Sequence, residues 1–297
     1  MISFLIPFFY FLIYGSATLA AAIPIVYSSS KEIQLLSIII APVSFSITFI
    51  LVAGLLSQIG KKAIFPGSFE RSLKDKIYGP RRLYGACWTA LFYFSPLYFV
   101  CLSLPPLKKL VFRLFGYTGP VDFTIYPDTW VRDLPCLLFE EGAYIANKST
   151  LGTNMCLTDG NILVDRIKIG KKAMVGHIAM IGPGVKLRDN VEIGLGCTIG
   201  IRSTYKKGSK VQPCAVINHG AVIGENCIIG TNSYLGLKVQ ILDNIHVPAG
   251  SNIPAGTTIE SQEQADSLHA KETESLINHK INVLNMLTAK AEAARTG

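Results

Sequence analysis

One spacing governs what residues 139–260 can become. Every sixth residue from Ile145 to Ile259 gives twenty positions, and nineteen are Ile, Leu or Val, the exception being Tyr205. Four places after these stand small side chains, among them Ser149, Ala173, Ala179, Cys197, Ser203, Ala215, Ala221, Ser233 and Ser251. Three places after them Gly or Asn dominates, as at Asn154, Gly160, Gly184, Asn190, Gly196, Gly208, Gly220, Asn226 and Asn232. The aliphatic residue points inward from a short strand, and the small residue packs beside it. Gly and Asn admit the left-handed backbone conformation that a sharp corner needs. A six-residue beat with such corners is that of a parallel β-helix. The beat never slips, so the sequence predicts a prism with no extruded loop.

The first hundred residues obey a different rule. No charged side chain occurs before Lys31, and none between Ile33 and Gly60. Each run exceeds the roughly 20 apolar residues that cross a bilayer core. Ser28 to Glu32 make a tight connection, so 1–60 reads as a transmembrane helical hairpin. The first run lacks a charged leading segment and is too long for an ordinary signal peptide. Lys61, Lys62, Arg71, Lys74, Lys76, Arg81 and Arg82 follow, opposed only by Glu70 and Asp75. The positive-inside rule therefore puts this loop, the N-terminus and the β-helix in the cytoplasm. The basic side chains then face anionic lipid headgroups, making membrane lipids the first expected partner. A third uncharged run, 83–107, is interrupted by Pro96 and closed by Pro105 and Pro106. Basic residues flank it on both sides, which suits a re-entrant or interfacial segment bent at Pro96, with a full span as the alternative. Residues 107–115, with Lys108, Lys109 and Arg113, read as an amphipathic helix lying on the surface.

Composition closes off other classes. Hydrophobic residues make up 49% and charged residues 16%, and the mean hydropathy is positive, which argues against disorder. The net charge of +8 lacks the aromatic interleaving of a nucleic-acid surface, so no nucleic acid is expected. Seven cysteines without a C-x-x-C pair make neither a disulfide framework nor a zinc knuckle. The chain divides into the hairpin (1–60), a basic loop, hydrophobic segment and amphipathic connector (61–138), the β-helix (139–260) and a helical tail (261–297). In the tail Ile277, Leu284, Leu287, Ala291 and Ala294 form a heptad-like stripe suited to oligomerisation or to packing on the prism.

The hexad pattern resembles the hexapeptide-repeat acyltransferase superfamily. That resemblance implies a left-handed β-helix with three hexads, about 18 residues, per coil. It also implies transfer of an acetyl or other acyl group from coenzyme A to a hydroxyl or amine, and a homo-oligomer, most often a trimer. The whole chain is similar to the C-terminal membrane region of poly-lysine-synthetase-type peptide synthetases, through Lys61-Lys62-Ala63-Ile64-Phe65-Pro66-Gly67-Ser68, Phe112-Arg113-Leu114-Phe115-Gly116 and Ile125-Tyr126.

With 18 residues per coil, residues 18 apart stack about one strand spacing apart. His177 then sits over Asp159, and a carboxylate beside an imidazole orients a general base. A solvated surface pair is the plain alternative. His219, also at a corner, has no carboxylate in its own column but could find one across a subunit seam. Asn218 beside it could hold substrate or an oxyanion. Arg202, Lys206, Lys207 and Lys210 could meet the phosphates of coenzyme A. Lys171, Asp189, Lys207 and Glu225 form an alternating charge column. The histidines are spaced too widely to gather a metal. The reading is thus a membrane-anchored acyltransferase that uses acetyl-CoA or another acyl-CoA on a small-molecule or lipid-linked acceptor. The alternative is a catalytically silent β-helix scaffold tethered to the membrane.

Overall fold

A computed structural model of the chain describes residues 2–296, with side chains described for 5–270 and 274–287. Helix α1 (Ile2–Val26) and helix α2 (Lys31–Lys61) are joined by a short turn, and Ser30 caps α2 by accepting the Ile33 N–H. Both are long and apolar enough to cross a membrane. Their outward side chains, including Phe11, Leu19, Leu35, Ile39 and Leu55, are exposed and apolar, as a lipid surround requires. Strand β1 (Gly67–Glu70) follows, then α3 (Tyr78–Phe92), α4 (Ser95–Ser103) and α5 (Pro105–Leu114). The axes of α3 and α4 meet at 83°, and Pro96 stands in the first turn of α4.

The β-helix is present, and it begins earlier than the hexad count suggests. Strand β2 (Phe123–Ile125), strand β3 (Trp130–Val131) and strand β4 (Leu137–Phe139) already form a coil, so the prism starts at Phe123 rather than Phe139. Three parallel seven-stranded sheets make its faces. The first face carries β2 and β5 (Ala143–Ile145), the second β3 and β6 (Thr150–Leu151), and the third β4. From Met174 on, every strand pairs with the one 18 residues later: Met174 with Glu192, Met180 with Thr198, Lys186 with Thr204. The inward aliphatics are buried without exception along this stretch. From Val175 to Ile253 the corner residue three places after each has positive φ, whether Gly (Gly184, 78°; Gly220, 73°) or not (Asn190, 57°; Ile178, 60°).

One coil departs from the predicted register. Tyr144 pairs with Met174, Thr150 with Met180 and Leu138 with Lys168, a step of 30. The surplus is two whole hexads, extruded as a hairpin of β7 (Asn154–Cys156) and β8 (Asn161–Val164). The Asp165 N–H closes its neck on the Thr153 carbonyl at 2.9 Å. The expectation of an uninterrupted prism is therefore wrong. Two hexads can leave the prism without disturbing the beat, and Leu157 and Leu163 keep time in the sequence while lying half-buried in the hairpin. Strand β1 pairs antiparallel with β8, so the chain leaving α2 clasps the extruded hairpin.

The open N-terminal end of the prism is plugged by helices. The Trp88 indole donates to the Val131 carbonyl at 2.8 Å, and the Tyr84 hydroxyl donates to the Phe115 carbonyl at 2.9 Å. Phe112, Tyr117, Phe123 and Phe139 continue the contact ring to ring, with centroids 4.8 to 5.8 Å apart. One hydrophobic core runs from the helices into the coils. Lys108, expected on a surface helix, is instead buried over the Phe123 ring, its ammonium donating to the Phe123 carbonyl. Burial lowers its pKa to about 8.

At the other end α6 (Gln262–Thr296) seats its first turns on the last coil. Ala265 is buried, and Gln262 exchanges two hydrogen bonds with the His246 backbone. Ile277, Leu284 and Leu287 of the predicted stripe are exposed, whereas Ala291 and Ala294 lie outside the residues whose side chains are described.

Candidate functional site

The three corner ridges differ in chemistry. The ridge between the third and first faces carries Lys171, Asp189, Lys207, Glu225 and Asp243, 18 apart and charged throughout. The ridges on either side of the second face are almost uncharged at the same step, with His177, Leu195 and Pro213 on one and Ile201, His219 and Leu237 on the other. The outward residues of the second face from Thr150 on are Thr150, Met180, Thr198, Val216, Tyr234 and Asn252, with no charge among them. The first face carries Glu192 and Lys210 outward, and the third Lys168 and Lys186. The two corner histidines thus flank the uncharged face.

His177 does not meet Asp159. Because the step below Met174 is 30, the neighbour of His177 in the preceding coil is Asn147; the adjoining Ile178 N–H donates to the Asn147 carbonyl at 3.2 Å. Asp159 stands in the turn of the extruded hairpin. Its carboxylate accepts the Asn161 N–H and the Asn161 side-chain amide, both at 2.9 Å, and these bonds hold its pKa below the usual carboxylate value. His177 is exposed, with no hydrogen bond to its ring among the described residues. Beside it Ile178 is 58% exposed in the left-handed conformation, an unusual combination for a β-branched residue.

His219 has a structural task. Its Nδ1 accepts the Ile201 N–H at 3.0 Å. Asp189 accepts the Lys171 N–H at 3.0 Å, and Asp243 accepts the Glu225 N–H at 2.8 Å, each reaching 18 residues back in the same way. Each accepted N–H follows a glycine (Gly170, Gly200, Gly224), where a Cβ would lie 2.6–2.7 Å from the accepting atom. An imidazole used in this way carries its proton on Nε2 and presents a donor to the outside, not a base. Asn218 donates to the Tyr234 hydroxyl at 2.7 Å on the second face. The sequence signal for these braces is legible in retrospect: a glycine, and 19 residues later an outward Asp or His.

The basic residues assigned to coenzyme A phosphates are not brought together. Arg202 lies on the ridge between the second and third faces and pairs with Asp165 at 2.9 Å. Lys206 and Lys207 lie at the next ridge, where Lys206 pairs with Asp243 at 3.1 Å. Lys210 points from the first face to Glu192 at 3.4 Å. A different set does converge. Lys168 and Lys186 are partners on adjacent strands of the third face, an arrangement unfavourable for like charges. With Lys171 and Arg188 they border a groove of about 390 Å³ that also touches Glu140 and Asp189.

A second concentration of polar groups lies where prism, helices and hairpin meet. Asp133, fully buried with φ 47°, accepts from Arg81, from the Thr153 hydroxyl and from the Asn154 amide, the last two at 2.8 Å. Three segments of the chain build this centre, and nothing in their local sequence announces it. Among the described residues no three His, Cys, Asp or Glu side chains gather as a metal site would need.

Comparison with known families agrees with the repeat. The family described as bacterial transferase hexapeptide (six repeats) matches residues 206–237, and that described as hexapeptide repeat of succinyl-transferase matches 166–200. No curated protein matches the chain. Among solved structures, the acetyltransferase domain of PglB from Neisseria gonorrhoeae FA1090 in complex with acetyl coenzyme A aligns at 16% identity. That alignment covers 52% of this chain and 60% of the other, with a TM-score of 0.26. Serine acetyltransferase from Neisseria gonorrhoeae in complex with serine aligns at 15%, covering 82% and 80%, with a TM-score of 0.25. A mutant of GDP-perosamine N-acetyl transferase from Caulobacter crescentus in complex with CoA and GDP-perosamine aligns at 18%, covering 51% and 55%, with a TM-score of 0.19. The chain spans only 60% of the length of the first of these, and likenesses this distant bear on neither substrate nor mechanism.

Proposed function

We propose that the protein is a membrane-anchored acyltransferase that moves an acyl group, most simply acetyl, from an acyl-CoA to a hydroxyl- or amine-bearing acceptor. The observation that carries this reading is His177: an exposed imidazole whose ring makes no hydrogen bond among the described residues, beside the strained Ile178, on a corner of the uncharged second face. Backbone strain of this kind concentrates at sites of contact and chemistry. The hexapeptide-transferase repeats that contain and follow this corner support the same class.

In this reading the groove bordered by Lys168, Lys186, Lys171 and Arg188 receives the phosphates of the coenzyme, in place of the four residues first expected. The chain from Lys171 to His177 is at most about 20 Å long. The thioester arm runs along the first face past Met174 to the corner. His177 takes the proton of the acceptor hydroxyl or amine as the acceptor's lone pair attacks the thioester carbonyl; the C–S bond then breaks and His177 returns that proton to the departing sulfur, so coenzyme A leaves as the thiol. A second copy of the chain covers the second face. His219 and Asn218, fixed as donors, stand on its far edge and serve as binding groups. The acceptor is a small molecule or a lipid-linked one; the likeness to the membrane region of poly-lysine-synthetase-type enzymes belongs to this reading and directs the acceptor screen toward amines as well as alcohols. Orientation with the prism in the cytoplasm, where coenzyme A resides, completes it.

The test is calorimetric titration of acetyl-CoA into the full-length protein, with thiol release measured across a panel of alcohols and amines. His177→Ala is expected to bind the cofactor and lose thiol release, and Lys168→Gln with Lys186→Gln to lose binding. Absence of binding at millimolar acetyl-CoA, or unchanged thiol release in His177→Ala, refutes the assignment. One observation favours a silent scaffold instead: His219 fills a slot that Asp189 and Asp243 fill elsewhere for bracing alone.

A further inference from the structure

Four arginines from three separate segments converge at the membrane end of the prism. Arg71 follows β1, Arg81 and Arg82 occupy the first turns of α3, and Arg132 follows β3. Together with Tyr78 and Asn154 they line a cavity of about 380 Å³. Within it, charge is not balanced. Asp133 is the one carboxylate ion-paired to any of the four among the described residues; its Oδ2 accepts from Arg81, Thr153 and Asn154, while its buried Oδ1 has no partner among them, so one carboxylate faces four guanidinium groups. The nearby Asp75 uses Oδ1 to cap α3, accepting the Ile77 and Tyr78 N–H groups at 2.7 and 2.8 Å.

The arginines are also held in place. Arg81 is more than nine-tenths buried and lies over the Phe69 ring at 5.5 Å, and its Nη1 has no hydrogen-bond partner among the described residues. Arg82 lies over the Tyr78 ring at 5.9 Å. Arg132 crosses α3 at Gly85, where any Cβ would collide with its guanidinium. A buried guanidinium with an unused face, ringed by three more, is a preorganised fork for an oxyanion.

The position of the cavity narrows the source of that oxyanion. At Gly60, in the last turn of α2, a Cβ would strike the Pro80 carbonyl, so the first turns of α3 lie against the exit of a 31-residue apolar helix. The cavity therefore opens at the level where a bilayer presents its headgroups. We propose that it is a phosphate-binding site, built to take the phosphate group of a lipid at the membrane surface. It differs from the diffuse attraction expected of the basic loop as a whole, because Lys74 and Lys76 take no part in it. The proposal does not depend on the acyl-transfer reading, whose groove lies on the third face.

The test uses the full-length protein in a neutral detergent. Phosphatidic acid with two six-carbon chains and, separately, inorganic phosphate are titrated by calorimetry into wild type and into Arg82→Gln, Arg132→Gln and Lys74→Gln. Saturable binding of phosphatidic acid is expected, weakened at least tenfold by either arginine change and under twofold by Lys74→Gln. Melting curves establish that each variant is folded, and the exposed Arg71→Gln replaces any that is not. Tighter binding of phosphatidic acid than of inorganic phosphate assigns the site to a lipid, whereas equal binding assigns it to free phosphate; both support a phosphate site. Failure of both probes to saturate, or equal weakening by the lysine and arginine changes, overturns it.

Discussion

The corner at Ile178 offers a direct measure of what the prism sacrifices for its surface. Replacing Ile178 with Asn relieves a β-branched residue of a left-handed conformation that costs about 1–2 kcal/mol. The side chain is 58% exposed, so less than half of its burial, worth under about 1 kcal/mol, is lost in exchange. The dilute protein should therefore gain roughly 0.5–1 kcal/mol, a rise of about 1–4 °C in melting temperature. If a second copy covers the second face, as proposed, the same change removes an apolar contact from the interface. Self-association should weaken while the isolated chain melts higher. Scanning calorimetry at low protein concentration and sedimentation equilibrium across a concentration series separate the two effects. A lower melting temperature for dilute Ile178→Asn would refute the strain argument, and unchanged association would remove the second face as the interface.

Lys108 predicts a pH effect whose sign is unusual. Its folded pKa of about 8 lies below the 10.5 of an unperturbed lysine, so between these values the unfolded chain holds a proton that the folded chain has released. Stability from this group rises with pH across that window, by about 3 kcal/mol at most, and the full penalty applies below pH 8. Lys108→Met should be more stable than wild type at pH 7, with the difference shrinking toward pH 10.5; denaturant titrations at both pH values check it. Gly200→Ala places a Cβ 2.5 Å from the Asn218 carbonyl carbon and 2.6 Å from His219 Nδ1. A loss of about 1–3 kcal/mol is expected, and an unchanged melting temperature would contradict the close approach.

The repeat was legible because each of its three positions has one physical job. An inward aliphatic, a small neighbour and a left-handed corner leave few alternatives, so strands from Met174 to Ile259 are placed correctly by counting alone. The same counting hid the hairpin. An excursion of two whole hexads leaves no phase error, and Leu157 and Leu163 look like core residues although they have left the prism. The pairing of Asp159 with His177 failed for this reason and no other. The apolar runs announced α1 and α2, but the plug formed by Trp88, Phe112 and Tyr117 depends on contacts between segments dozens of residues apart. The meeting of Arg71, Arg81, Arg82 and Arg132 depends on the same long-range closure, which no local pattern encodes. Lys108 misled because amphipathic spacing cannot tell water from a carbonyl at the mouth of a prism.

The most direct test of the architecture is a pair of cross-links made in a Cys156→Ser, Cys214→Ser background, which removes the two exposed native thiols. Ser68→Cys with Leu163→Cys tests the clasp, since these residues face each other across β1 and β8. Asp159→Cys with His177→Cys tests the uninterrupted coil. Mild oxidation should join the first pair and leave the second as free thiols, read by mass spectrometry of peptides. A disulfide in the second pair with none in the first would mean that the coil winds on without its hairpin, contradicting the account of how the prism and the N-terminal helices are joined.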